Sequence, residues 1–112
     1  ETIYKINNFD LVLIEADTQN IQDLRQLVDS SKKSQSHRCV LILSHQDSKV
    51  VMVCGITEDM QESLSANDVI QVISKASNGK GGGRKDFAQG AGVTDNFEEF
   101  VNSIPDIVQS IA

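Results

Sequence analysis

The sequence predicts an α/β fold: a single mixed β-sheet of about five strands with three helices packed on it. Three features of the chain predict it. Apolar and polar residues alternate from Thr2 to Ile6, the period of a strand. The runs Val40 to Leu43 and Val50 to Val53 are apolar at every position, the mark of strands covered on both faces. Ile21, Leu24, Leu27 and Val28 recur at helical spacing. At 112 residues the chain is one domain, large enough for a core and too small for two.

Taken in order, Thr2 to Ile6 and the apolar run Asp10 to Ala16 are joined by the turn residues Asn7 and Asn8 and form a β-hairpin. The segment from Ile21 is an amphipathic helix that Asn20 or Thr18 caps. It ends near Lys32 and Lys33, where positive charge suits the helix dipole. Arg38 to Ser44 and Lys49 to Ile56 form a second hairpin about the polar turn His45 to Ser48, and their doubly apolar character puts them at the centre of the sheet. Ser65 to Asp68 has capping-box spacing, with Asp in the Glu position, ahead of Val69, Ile70, Val72 and Ile73. That helix runs to about Ser77 and stops at Asn78 and Gly79. A glycine loop follows from Gly79 to Lys85, then a short edge strand over Asp86 to Gly90, which Gly92 breaks. Thr94 or Asp95 caps a last helix whose core-facing stripe is Phe97, Phe100, Val101, Ile104 and Val108, and Pro105 bends or interrupts it about its third turn.

A net charge of −6 excludes a chain that holds nucleic acid over its whole surface, because phosphate binding depends on local neutralisation by Lys and Arg. The charge is uneven, however. Val69 to Lys85 contains no acid and carries Lys75, Lys80, Arg84 and Lys85, so contact with phosphate is expected there. No apolar run approaches the roughly 20 residues of a spanning helix, and no membrane partner is expected. Cys39 and Cys54 lie in apolar runs, and the chain has no N-x-S/T site; both facts favour a reducing cytoplasm.

Four of the five residues from Gly79 to Gly83 are glycine, which permits positive φ and a close approach of backbone N–H groups to an anion. Beside Arg84 and Lys85 they predict a cradle for phosphate in preference to a flexible connector. Two familiar nucleotide motifs do not fit: Gly81 stands where the Walker sequence needs Ser or Thr, and Arg84 or Asp86 where a dinucleotide fingerprint needs Gly. Ser44, His45 and Asp47 are the residue types of a hydrolytic triad, but neighbours on one turn do not meet in relay geometry. His37, Cys39 and Cys54 lack metal-ligand spacing and a fourth partner, so no metal is expected. Whether the two thiols meet depends on hairpin register: a three-residue turn sets them on opposite faces, a two- or four-residue turn together. The acids Glu58, Asp59 and Glu62 read as a solvated loop.

The segment from Asn78 to Gly92, Asn-Gly-Lys-Gly-Gly-Gly-Arg-Lys-Asp-Phe-Ala-Gln-Gly-Ala-Gly, closely resembles the Gly-Lys-Gly-Gly-Gly-Arg-Pro-Asp-Met-Ala-Gln-Gly-Gly segment near the C-terminus of alanyl-tRNA synthetases. The Ser-Ala-Asn-Asp-Val-Ile run before it and the helix to Ala112 after it fall where that family has its final helices. The resemblance therefore covers the second half by sequence and the first by topology. Lys85 stands where the family usually has Pro, and Phe87 where it has Met; the first change adds a cation. That family's C-terminal domain is in turn similar to the DHH-associated domain of certain phosphoesterases.

The resemblance implies that residues 1–112 are the C-terminal globular domain of a larger alanyl-tRNA synthetase-like chain, cut from its catalytic and editing domains; a start at Glu1 without Met suggests the same. It implies a tRNA-binding accessory domain of an alanine-tRNA ligase, without catalysis of its own, that helps position tRNA(Ala) for aminoacylation and editing. The expected partners are tRNA(Ala), the rest of the synthetase chain and, in the full-length protein, a second copy. ATP, magnesium and zinc are implied for the full-length enzyme and no cofactor for this chain. Carried over residue by residue, the tRNA-binding set is Lys80, Gly81, Gly82, Gly83, Arg84, Lys85, Asp86 and Gln89. Lys80 and Arg84 would pair with phosphates, the glycines would let backbone amides approach the ribose-phosphate chain, and Asp86 and Gln89 would orient Arg84 or bond 2′-hydroxyls. Two rival readings remain: the substrate-binding domain of a DHH-type phosphoesterase, whose related motif carries His where this chain has Arg84, and a protein-interaction module.

Overall fold

A computed structural model describes residues 1–112. Thr2–Ile6 (β1) pairs antiparallel with Phe9–Glu15 (β2), and Asn7 takes the left-handed conformation, φ 51°, that a short polar side chain tolerates. Of the two caps expected for Ile21–Lys32 (α1), Asn20 serves: its side chain accepts the Asp23 N–H at 3.1 Å. The helix carries the chain over to Arg38–Gln46 (β3), which lies parallel to β2, the one parallel pair in the sheet.

Lys49–Ile56 (β4) returns antiparallel to β3 with Gln46 opposite Lys49, so the turn is only Asp47 and Ser48. It is tighter than the expected four residues because a two-residue turn with a left-handed first position, here Asp47 at φ 55°, matches the twist of the strands it joins. That register decides the cysteines. Cys39 and Cys54 share a face with their sulfurs 3.8 Å apart, both buried and both free. The Cys39 thiol and then burial push the Cys54 thiol well above its usual range.

The acidic run Glu58–Met60 forms a single 3₁₀ turn that buries Met60. Its Asp59 carboxylate accepts the His37 backbone N–H at 3.0 Å and lies 3.0 Å from the His37 ring. The Thr57 hydroxyl first, and then this backbone N–H, hold the Asp59 carboxyl below the usual carboxylate range. Ala66–Ala76 (α2) follows, with the Ser65 hydroxyl accepting the Asp68 N–H at 3.0 Å as its spacing predicts.

Two strands then depart from expectation. Lys80–Gly83 (β5), read as a loop, is an edge strand, so the sheet has six strands and not about five. Phe87–Val93 (β6) is not an edge: it lies between β4 and β5, and it continues through Gly90 and Gly92. The order is β1-β2-β3-β4-β6-β5, with β3 and β4 at the centre as expected. Phe97–Ile111 (α3) is capped by Asn96, which accepts the Glu99 N–H at 3.1 Å, and not by Thr94 or Asp95; Thr94 instead receives the Asn96 N–H at 3.2 Å. Pro105 does not interrupt α3, because buried Phe100, Ile104 and Val108 hold the helix to the core on both sides of the ring.

The pleat explains the unbroken apolar runs. Val12, Val40, Ile42, Val51 and Val53 face α1 through Leu24 and Val28, while Leu11, Leu13, Leu41, Leu43 and Met52 face α2 and α3. One helix thus lies over one face and two over the other. Because α1 packs chiefly on β3 and β4, the outer part of its face stays open, and Gln89 and Val93 of β6 are exposed there.

Candidate nucleic-acid interface

Asn78, at φ 56°, ends α2, and the Gly79 N–H returns to the Ser74 carbonyl at 2.7 Å before the chain enters β5. No glycine in the chain has a positive φ, so conformational freedom is not what the glycine segment supplies, and the loop expected there is a strand. Most of these glycines serve close packing instead. A Cβ on Gly79 would overlap the Ala91 carbonyl oxygen. On Gly81 it would stand 2.5 Å from Ile70 Cγ2 and 2.6 Å from Gly90 Cα, and on Gly83 it would stand 2.6 Å from Ala88 Cα. Gly82 is the exception. A Cβ there meets only the Asn67 and Gln71 side chains, at 3.0 and 4.0 Å, and no backbone atom within 4 Å. The fold does not require glycine at 82.

The backbone donors near the segment are largely taken by the protein. The Lys85 and Arg84 carbonyls accept the Ala66 and Asn67 N–H groups, both at 2.9 Å, and Ser65 takes that of Asp68. The start of α2 is therefore closed by the turn that follows β5, not open to an anion. Asn67 also accepts the Gly83 N–H at 3.0 Å, which pins the strand to the helix. What remains for a ligand is side-chain charge along a flat strand.

Those side chains are distributed as follows. Lys80 is exposed at the start of β5, opposite Ala91. Arg84 Nε lies 3.3 Å from Asp86 Oδ1, with the Arg84 side chain 67% exposed. Gln89 stands opposite Gly82 and is exposed, but it does not bond Arg84. Gly82, Gly83, Arg84 and Gln89 share a shallow depression with Phe87 and Arg25. Lys85 turns to a different, polar one beside Gln61, Ser65 and Asp68. The cation at this depression that the sequence did not single out is Arg25, whose guanidinium carbon sits 4.4 Å over the Phe87 ring. In sequence it is one polar residue on the outer side of an amphipathic helix, and no local signal connects it to position 87.

The pleat turns Ser44, buried, to the α1 face and His45, exposed, to the opposite face, where its ring stacks on Phe97 of α3 with centroids 4.5 Å apart. No three His, Cys, Asp or Glu side chains gather as a metal set.

The pattern of the DHHA1 domain matches residues 10–110. Alanine-tRNA ligases from Staphylococcus aureus strains bovine RF122 / ET3-1 and JH9 are each 28% identical to this chain over 112 residues, which is 99% of it. The chain spans 13% of the length of these curated relatives. The solved C-Ala domain of Aquifex aeolicus alanyl-tRNA synthetase superposes with a TM-score of 0.84 at 28% identity, covering 97% of this chain and 99% of that one. Matched from β2 to the end of α3 and sharing its fold with the C-Ala domain, the chain belongs to the DHHA1 domain family.

Proposed function

We propose that the chain is a tRNA-binding accessory domain at the C-terminus of an alanine-tRNA ligase. It helps hold tRNA(Ala) in the cytoplasm while other domains of that enzyme, outside residues 1–112, aminoacylate and edit it. The observation that carries the reading is the run of exposed cations on a glycine-built edge: Lys80, Arg84 and Lys85 follow Asp68 with no acid intervening, in a chain of charge −6. The likeness to the C-Ala domain over 97% of the chain supports it.

In this reading Lys80, Arg84 and Lys85 neutralise phosphates. Asp86 engages Nε of Arg84, which leaves the terminal guanidinium nitrogens for a phosphate. Gly82 lets the ribose-phosphate chain come close to the backbone, and Gln89 offers its amide to a 2′-hydroxyl. Gly81 and Gly83 contribute flatness. The partners are tRNA(Ala), the remainder of the synthetase chain and, in the full-length protein, a second copy. ATP, magnesium and zinc belong to the other domains. The phosphoesterase reading is disfavoured by Arg84 in place of His.

The test is equilibrium binding of a tRNA(Ala) transcript to the parent chain and to Lys80→Ala/Arg84→Ala, from about 50 to about 300 mM salt. Loss of two phosphate contacts is expected to weaken binding about tenfold or more near 0.1 M salt and to lower the slope of log K against log salt by about 1.5 to 2. Equal binding at every salt concentration would remove this segment from the interface.

A further inference from the structure

We infer that Arg25, on α1, is a phosphate-binding residue of the same surface, and that the Phe87 ring is what holds it ready. The inference rests on the RNA-binding reading and extends the surface from β5 across the open sheet face to a helix.

The guanidinium lies 4.4 Å over the Phe87 ring, and Phe87 itself is only 9% exposed. An arginine seated on a ring keeps its N–H donors at the rim of its plane. The three close ion pairs of the chain are Lys5 with Asp10, His37 with Asp59 and Arg84 with Asp86, so no carboxylate lies within ion-pair distance of Arg25. It is a cation whose side-chain freedom the ring reduces and which makes no close ion pair, and a ligand that meets it forfeits less entropy than with a freely moving lysine.

The neighbours complete a site. Arg25 and Arg84 line one depression together with Gly82, Gly83, Phe87, Ala88 and Gln89. Gly82 is also the glycine that packing does not demand. Two arginines beside a pair of glycines suit a phosphodiester strand laid over β5 and β6, a polyanion whose backbone needs close approach and paired cations. Phe87 stands where the resembling family has Met, and the ring gives Arg25 a flat seat that a thioether lacks.

The experiment compares Arg25→Gln, Arg25→Lys, Lys80→Ala/Arg84→Ala and the parent chain, each titrated with the tRNA(Ala) transcript over the same salt series, with a thermal melt for each. Arg25→Gln is expected to bind about three- to tenfold more weakly near 0.1 M salt and to lose roughly one unit of salt slope. Arg25→Lys is expected to keep the slope while still binding more weakly than the parent, because it keeps the charge and loses the fork. If the Lys80/Arg84 variant weakens binding and Arg25→Gln binds as the parent does, the inference is overturned and the surface stands. If neither changes binding, the RNA-binding reading itself fails. Equal affinity of Arg25→Lys and the parent overturns the role given to the guanidinium seated on the ring.

Discussion

Gly81→Ala is expected to cost about 3 kcal/mol of stability, roughly 15 °C in Tm, while Gly82→Ala, one residue on, costs less than about 1 kcal/mol. At 81 the new methyl would meet Ile70 Cγ2 at 2.5 Å, Gly90 Cα at 2.6 Å and the Gln89 carbonyl oxygen at 2.8 Å. Two of those three are backbone atoms of the neighbouring strand, which cannot step aside without opening the β5–β6 ladder. At 82 only the side chains of Asn67 and Gln71 are near, and they turn away. An interior glycine also weakens a strand, so a tolerated alanine at 82 recovers part of that loss. The two variants separate fold from function: urea or thermal unfolding should report the damage at 81, and tRNA binding the damage at 82. A Gly82→Ala chain that melts far below the parent would show that glycine is structural there too.

Ile70→Ala is expected to destabilise the chain by about 2 to 5 kcal/mol, measured by urea unfolding. Ile70 is fully buried, and its Cγ2 lies against the Cβ positions of both Gly81 and Gly90. Strand β5 carries no side chain but Lys80, so it cannot anchor itself in the core. It is held by its ladder to β6, by Asn67 and the turn carbonyls, and by Ile70 pressing on its glycines. Removing the isoleucine leaves a void where the sheet is thinnest. The pair should therefore couple: Gly81→Ala is expected to cost less in the Ile70→Ala chain than in the parent, because the added methyl enters the vacated space. The relief is partial, since the contact with Gly90 Cα remains.

The parts of the fold written in side chains were legible. Alternation marked β1, doubly apolar runs marked β3 and β4 as central, and Ser65 with Asp68 marked the start of α2. The parts written in absent side chains were not. Glycine has little strand propensity and reads as a loop, so β5 was hidden and Gly92 looked like a break. Both positions make sense only from tertiary contact: Gly81 and Gly90 let strand and helix touch, and a Cβ on Gly92 would overlap Ser77 Oγ. The α3 cap was missed by one or two residues because Thr94, Asp95 and Asn96 are all competent caps, and the bond from Thr94 to the Asn96 backbone selects the last. Of the site, the cations and the acid-free stretch were legible because they are contiguous. Arg25 was not, since it meets Phe87 only through the crossing of α1 over the sheet.

RNA contact is expected to be confined to the glycine edge and the open sheet face beside it. The most direct measurement is a titration of the ¹⁵N-labelled chain with the tRNA(Ala) transcript, following each backbone amide by NMR. Shifts or line broadening are expected at Lys80 through Asp86, at Gln89 and at Arg25, with β1 and α3 unmoved. Perturbations gathered on β1 or α3, with the signals of Gly81, Gly82 and Gly83 unchanged, would contradict it.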